Sequence, residues 1–371
     1  MDAAPPLPPP AIEQPAPHQV SYGLVTGQAA HGTKRVVVSA NGRVLVAKAL
    51  RGRRFSLRVD LPAGDATIRV TTLAQGGRRS ASVVRDVYVL PAAARPRVVR
   101  DREDPYLAQR LRRLVRAYSG TASFYVQSLS SGRGAAWNAR ARFPAASTLK
   151  LAIAVAVLEE HRGIPPPGSY VGGLLREMII PSDDKAANEL EVWLAGSTSA
   201  GSHVVNGLMA SIGMTDSIMY GGYEVRSLSA APIPIRVDEA PAFGIGKYTT
   251  AVDMARLHRA IWLASANRGP LRARQPGFTA ADARHLLWLL AHVRDTPKLD
   301  RTVRAERDVH VLHKAGWINA GRHDTGLVFW RGGVFAASVM TYRASGAGVS
   351  SDVLAGRVAA ASLARFRHLS R

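Results

Sequence analysis

The stretch F-P-A-A-S-T-L-K-L-A-I-A-V, Phe143 to Val155, decides how the chain is read. Its second half is apolar at nearly every position, the pattern of a helix buried on all sides. Ser147 and Lys150 stand three residues apart at its head, so on a helix they share one face. A neutral Lys amine placed there takes the hydroxyl proton and turns the Ser into a nucleophile. Burial lowers the proton affinity of a Lys toward that neutral state. The same spacing recurs at Ser182 and Lys185, so the pair acquires meaning only from its surroundings.

The chain has 371 residues, 47% of them hydrophobic, enough for two domains or one large one with a real core. Cysteine is absent, which excludes disulfides, thiolate metal sites and a thiol nucleophile. A formal charge of +22 attracts anionic partners. Yet the excess of Arg over Lys, with abundant Ala, Gly and Pro, is what GC-rich coding yields by itself. No zinc-finger spacing, aromatic RNA-binding signature or basic heptad region supports a nucleic-acid role. The His residues are scattered, with His310 and His313 lacking a second ligand pair, and no phosphate-cradling Gly loop is seen. Neither metal nor cofactor is expected. No apolar run approaches the roughly 18 residues that a membrane span needs. The opening M-D-A-A-P-P-L-P-P-P has neither the basic start nor the apolar core of a signal peptide.

Residues 1–18 read as a Pro-rich disordered tether. Residues 19–91 read as a small all-β sandwich. Alternating segments at Arg35 to Ser39, Val44 to Ala47, Phe55 to Val59, Ala66 to Thr72 and Ser82 to Val89 are separated by turn signals such as Asn41-Gly42 and Gly76-Gly77. This pattern resembles bacterial immunoglobulin-like or prealbumin-like accessory modules. Its basic residues far outnumber its acids, Asp60, Asp65 and Asp86, so it is a candidate for binding an anionic cell-envelope polymer. Residues 92–103 read as a linker. From 104 to 371 the periodicity predicts a basic amphipathic helix, a hairpin, the Ser147 helix, a run of further helices, and a closing strand meander followed by a helix. An antiparallel sheet flanked by helices, with a helical subdomain, is an α+β domain.

Three short motifs follow one another in this domain: S-T-L-K at Ser147, S-D-D-K-A-A-N at Ser182 and H-K-A-G-W at His313. In this order they resemble the class A β-lactamase and penicillin-binding-protein superfamily, whose motifs are S-x-x-K, S-D-N and K-T-G. The segments K-Y-T-T-A-V-D-M and R-H-D-T-G-L-V-F-W are also similar to that family. The resemblance implies a β-lactamase/transpeptidase-like fold, with Ser147 as acyl acceptor and Lys150 as base. It makes Ser182 the proton relay to the leaving nitrogen and Lys314 the cation that holds it. It implies an oxyanion hole of the Ser147 and Trp317 amides beyond Gly316, and Arg322 as carboxylate binder.

Four departures bear on turnover. Asp184 stands where the family has Asn, and an ionised carboxylate accepts but does not donate to a substrate carbonyl. Ala315 replaces a hydroxyl that helps bind the substrate carboxylate. Trp317 shares strand parity with Ala315 and is expected to crowd the cleft. No E-x-x-L-N string lies between Ile212 and Thr249, which leaves Glu224 and Glu239, apart from Asp216 and Asp238, as acids that could substitute; the turn Tyr220-Gly221-Gly222-Tyr223-Glu224 makes Glu224 the candidate deacylation base. The leading expectation is a class A β-lactamase-like serine hydrolase acting on β-lactam or related amide. A peptidoglycan D-Ala-D-Ala carboxypeptidase or transpeptidase, acting on stem peptides, and a catalytically degenerate cell-wall binder are the rivals. The resemblance further implies a monomer working outside the cytoplasm, with no transmembrane segment.

Overall fold

Alternation of apolar and polar residues builds the first of two units, Met1–Arg95. The computed structural model describes residues 6–223, 246–295 and 297–370. In the first unit β1 (Ala11–Gln14), β2 (Gln19–Ser21), β3 (Leu24–Gln28), β4 (Thr33–Ala40), β5 (Arg43–Ala49), β6 (Arg54–Arg58), β7 (Gly64–Ala74) and β8 (Arg79–Val89) make two sheets. Their orders are β1-β3-β6 and β2-β8-β7-β4-β5. Val25, Phe55 and Leu57 of one sheet and Val36, Val38, Ile68, Val70 and Val87 of the other share one core, because successive side chains of a strand point to opposite faces. Every strand expected from the alternation is present.

The tether expectation is corrected. Ala11–Gln14 pairs antiparallel with β3, Ile12 packs on the core and Leu7 is buried. The prolines flank this short edge strand instead of lying within it, so they leave its ladder hydrogen bonds intact. The linker expectation changes as well. The division between the units falls after Arg95, and Arg102–Glu103 pairs with a strand of the second unit.

The second unit, Pro96–Arg371, opens with β9 (Arg102–Glu103), α1 (Pro105–Arg116), β10 (Thr121–Ser128), β11 (Arg133–Trp137) and β12 (Phe143–Pro144). Four helices follow: α2 (Lys150–His161), α3 (Tyr170–Ile179), α4 (Asp184–Ala195) and α5 (Thr198–Ser211). After β13 (Tyr248–Thr249) come α6 (Ala251–Ala264), α7 (Gly269–Arg274) and α8 (Ala280–Ala291), then β14 (His310–Trp317), β15 (Gly321–Trp330), β16 (Gly333–Tyr342) and α9 (Gly348–Leu369). The main sheet has the order β14-β15-β16-β10-β11-β9. Leu107 and Leu111 of α1 and Val358, Leu363 and Phe366 of α9 bury one face of it against Phe124, Val126, Val328 and Phe335. The helix α6 contacts β10, β15 and β16, and α8 contacts β14.

The remaining helices gather around α2. From Lys150 to Leu158 every residue of α2 is buried, and α3, α4, α5 and α8 all contact it. Full burial of a Leu, Ile or Val is worth about 1.5–3 kcal/mol, so Leu151, Ile153, Val155, Val157 and Leu158 fix this helix firmly. Side-chain caps set where its neighbours begin. Asp183 accepts from the Ala186 amide at 2.6 Å to start α4, and Thr250 and Thr279 do the same for α6 and α8. The short α7, which periodicity did not reveal, begins with Gly269-Pro270, a Pro placement suited to a helix start.

Candidate active site

The N-terminal end of α2, the start of α4 and the edge strand β14 converge on one cleft. Ser147 lies in a 3-10 turn, Ala146–Leu149, that runs into α2, and it is half-buried. Two non-glycine residues here hold left-handed backbone: Ala146 at φ 46°, directly before Ser147, and Ser182 at φ 67°. Such conformations cost about 1–3 kcal/mol each and persist where the surroundings over-determine them.

Lys150 is completely buried at the first position of α2. Its Nζ donates to the Ser182 carbonyl at 2.6 Å and to Asp184 Oδ1. Burial lowers its proton affinity and Asp184, Asp183 and Asp295 raise it, with burial prevailing. Lys314, equally buried, donates from Nζ to Ser182 Oγ at 2.7 Å and to the Ala315 carbonyl at 3.1 Å, with Asp295 3.7 Å away. Burial pushes its pKa down to about 8. Ser182 is thus gripped at its carbonyl by one lysine and at its hydroxyl by the other. Lys185 points outward, 85% exposed, and pairs with Glu189, so the second S-x-x-K spacing is not a second site.

Gly316 carries out a close approach. A Cβ at this position would lie 2.8 Å from the Ser147 nitrogen and 2.9 Å from the Thr148 nitrogen. Only glycine lets β14 press this closely on the nucleophile turn, which brings the Ser147 amide to the strand that carries the Trp317 amide. Trp317 is 61% exposed; its side chain stands at the rim and turns to solvent. The Ala315 methyl is buried. Arg322 pairs in register with Trp317, and its guanidinium is 3.2 Å from Asp352 of α9.

Two neutral histidines brace these segments. His323 Nδ1 accepts from the Thr341 amide at 3.3 Å, so Nε2 carries the proton and donates to the Pro144 carbonyl at 2.6 Å, just ahead of Ser147. Thr325 Oγ1 donates to the Lys314 carbonyl at 3.3 Å, so His258 Nε2 donates to that hydroxyl at 3.0 Å. Burial drives His323 to about 4 and His258 to about 3, so neither carries charge near neutrality. His313 faces away from Lys314 by strand alternation and is buried against Asp324, 2.8 Å from it. Burial disfavours its charged form, but Asp324 prevails and raises its pKa.

A group that motif reading did not assign stands over Lys150. The Tyr223 ring centroid is 4.7 Å from Lys150 Nζ and 4.4 Å from Lys247 Nζ. Asn188 clamps the Tyr223 main chain twice, accepting from its amide at 2.6 Å and donating to its carbonyl at 2.9 Å. The available signals were Asn188 at the end of the quoted S-D-D-K-A-A-N and the Gly221-Gly222 turn that precedes Tyr223. Glu224 lies outside the described residues. Among the described residues, no cluster of three or more His, Asp or Glu suits a metal ion, and no helix is long and apolar enough to cross a membrane.

A sheet covered by terminal helices on one face, with an all-helical lobe holding a buried Lys-bearing helix, defines the β-lactamase/transpeptidase-like fold class. The chain belongs to the β-lactamase enzyme family, whose model matches residues 105–163 and 160–366. Solved structures agree at the level of fold. The structure of PBP-A is 20% identical with a TM-score of 0.57, covering 72% of this chain and 98% of that one. The β-lactamase of Streptosporangium roseum is 20% identical, with a TM-score of 0.55 and coverage of 71% and 99%. That of Sphaerobacter thermophilus is 19% identical, with a TM-score of 0.52 and coverage of 71% and 98%. No curated protein matches the chain in sequence.

Proposed function

We propose that the protein is a serine acyl-transfer enzyme of penicillin-binding type, in which Ser147 is acylated by a β-lactam or a terminal peptidoglycan amide and releases the acyl group slowly. Neutral Lys150 takes the Ser147 proton as Oγ bonds to the carbonyl carbon. The Ser147 and Trp317 amides receive the oxyanion. On collapse the carbon–nitrogen bond breaks, Ser182 gives its proton to the leaving nitrogen, and the proton held by Lys150 restores the Ser182 hydroxyl. Lys314 steadies Ser182 and supplies positive potential for a substrate carboxylate, which Arg322 supplements. Such substrates place the protein outside the cytoplasm.

The observation that carries this reading is the double grip on Ser182, by Lys314 at its hydroxyl and Lys150 at its carbonyl. A wall-binding protein has no use for two buried lysines, each exacting a desolvation cost. Slow release is supported by the Tyr223 ring, which occupies the space over Lys150 and has no group that activates water near neutral pH. Burial raises its phenol well above the ordinary value.

Intact-protein mass spectrometry after incubation with a penicillin, over time and with Ser147→Ala as control, tests the reading. A lasting adduct on the wild type alone is the expected result. A transient adduct with accumulating hydrolysed drug would favour the β-lactamase reading, with Glu224, the next residue after Tyr223, as water base. Absence of any adduct, together with no release of D-alanine from a stem peptide, would overturn the proposal in favour of a binding-only domain.

A further inference from the structure

Lys247 precedes β13 and has no counterpart among the three motifs, yet it joins the approach to the nucleophile turn to the Gly222-Tyr223 segment. Its carbonyl accepts from the Ala145 amide at 2.9 Å, two residues before Ser147. Its Nζ donates to the Gly222 carbonyl at 2.5 Å and lies over the Tyr223 ring. The same ring lies against Lys150. Two lysine nitrogens therefore lie against one aromatic ring, with no more than about 9 Å between them.

We propose that Lys247 is a positioning residue that joins the nucleophile turn to the Tyr223 segment and whose charge opposes Asp184 in setting how tightly Lys150 holds its proton. Among the described residues, the charged groups around Lys150 are Asp184 and Asp183 at the start of α4, Asp295 ahead of β14, and Lys314 on β14. Around Lys247 they are Asp184, Lys150 and Glu191. Glu191 of α4 is fully buried and accepts from Ser202 Oγ at 2.7 Å. Burial raises it to about 7, while Ser202 and Lys247 act in the opposite direction. The negative side of the cluster thus bears most directly on Lys150 through Asp184, and Lys247 is its positive counterweight at the same ring. Burial lowers the proton affinity of Lys247, Glu191 and Asp184 raise it, and the Lys150 charge, the smallest of these influences, lowers it. Coulomb interaction is mutual, so Lys247 acts on Lys150 by the same amount.

The coupling itself does not depend on the proposed reaction; only its kinetic consequence rests on Lys150 being the base. The chain has only seven lysines, so lysine-selective 13Cε NMR titration of the full chain reads each one without substrate. Two charges within about 9 Å of one another in a partly shielded medium shift one another by about one pH unit or more. Lys247→Met is expected to raise the Lys150 midpoint by that amount, and Lys247→Arg to leave it near the wild-type value. If Lys247→Met fails to fold, Lys150→Met gives the reciprocal reading, a rise of the same size in the Lys247 midpoint. The acid limb of penicillin acylation should move upward in parallel with the Lys150 midpoint. A Lys150 midpoint unchanged in folded Lys247→Met, or a Lys247 midpoint unchanged in Lys150→Met, would overturn the inference. A wild type that titrates as expected but takes no acyl group would instead count against the proposed function alone.

Discussion

Asp184→Asn isolates the charge that restrains the proposed base. Asp184 Oδ1 accepts directly from the buried Lys150 ammonium and its side chain is 31% exposed. The carboxylate stabilises protonated Lys150, whereas the mechanism needs neutral Lys150. An opposite charge in contact shifts a pKa by about 1–3 units. With nearly a third of the Asp184 side chain open to solvent, screening favours the lower part of that range, about 1–2 units, or roughly 1.4–2.7 kcal/mol. Removing the charge therefore lowers the Lys150 midpoint, and the acid limb of acylation moves to lower pH by the same amount. At a fixed pH below the wild-type limb, the neutral fraction and the acylation rate rise about 10- to 100-fold, less a small loss because the base becomes weaker. The assay is the second-order acylation rate by penicillin, followed by intact mass from pH 5 to 9. The alkaline limb, set by loss of the Lys314 ammonium as pH rises through about 8, should stay in place. An Asn that merely donated to the substrate carbonyl would raise the rate equally at every pH. An acid limb that does not move would refute the electrostatic argument, whatever happens to the absolute rate.

Three further expectations are independent of that charge. Tyr223→Glu places a carboxylate over Lys150, and the penicilloyl adduct should then decay about 100-fold faster or more, the lower end of the 10²–10⁴ range of general-base catalysis; an adduct lifetime equal to wild type would show that Tyr223 does not guard the acyl group. Gly316→Ala drives a methyl into the Ser147 and Thr148 amides. Acylation should fall about 100-fold or more, the scale of a lost oxyanion donor, with an overpacking cost of about 1–3 kcal/mol visible in thermal unfolding; near-normal acylation would mean that β14 does not set the oxyanion site. If the β-sandwich binds anionic wall polymer, retention of the protein on purified walls should drop steeply between low and physiological salt, and salt-insensitive retention would exclude charge as its basis.

Local patterns carried most of the architecture. Period-two alternation located β4 to β8, and the apolar run after Lys150 located α2, because these signals depend on near neighbours in the chain. The element ends and the N-terminal strand β1 escaped, since Pro-rich sequence reads as extended whether or not a partner strand is waiting. Spacing also singled out Ser147, Lys150, Ser182 and Lys314, and the structure brings Lys150, Ser182 and Lys314 into hydrogen-bonded contact.

What spacing did not convey is what surrounds those groups. Asp184 was read as a group facing the substrate, and only the fold shows it bound to Lys150. Trp317 was expected to crowd the cleft, yet β14 ends at that residue and leaves the indole in solvent. Tyr223 lies 73 residues beyond Lys150 in a turn without a recognisable motif, and Lys247, 97 residues beyond, opens the family-like K-Y-T-T-A-V-D-M segment, which carries no signal that the two side chains meet. The sequence by itself determined the family and singled out the side chains of the proposed reaction, because each motif is written in residues close together along the chain. Tertiary structure alone decided the proton affinity of the lysines, the tautomers of His258 and His323, and the ring that covers Lys150. Those depend on burial and on charges brought within a few ångströms by segments remote in sequence.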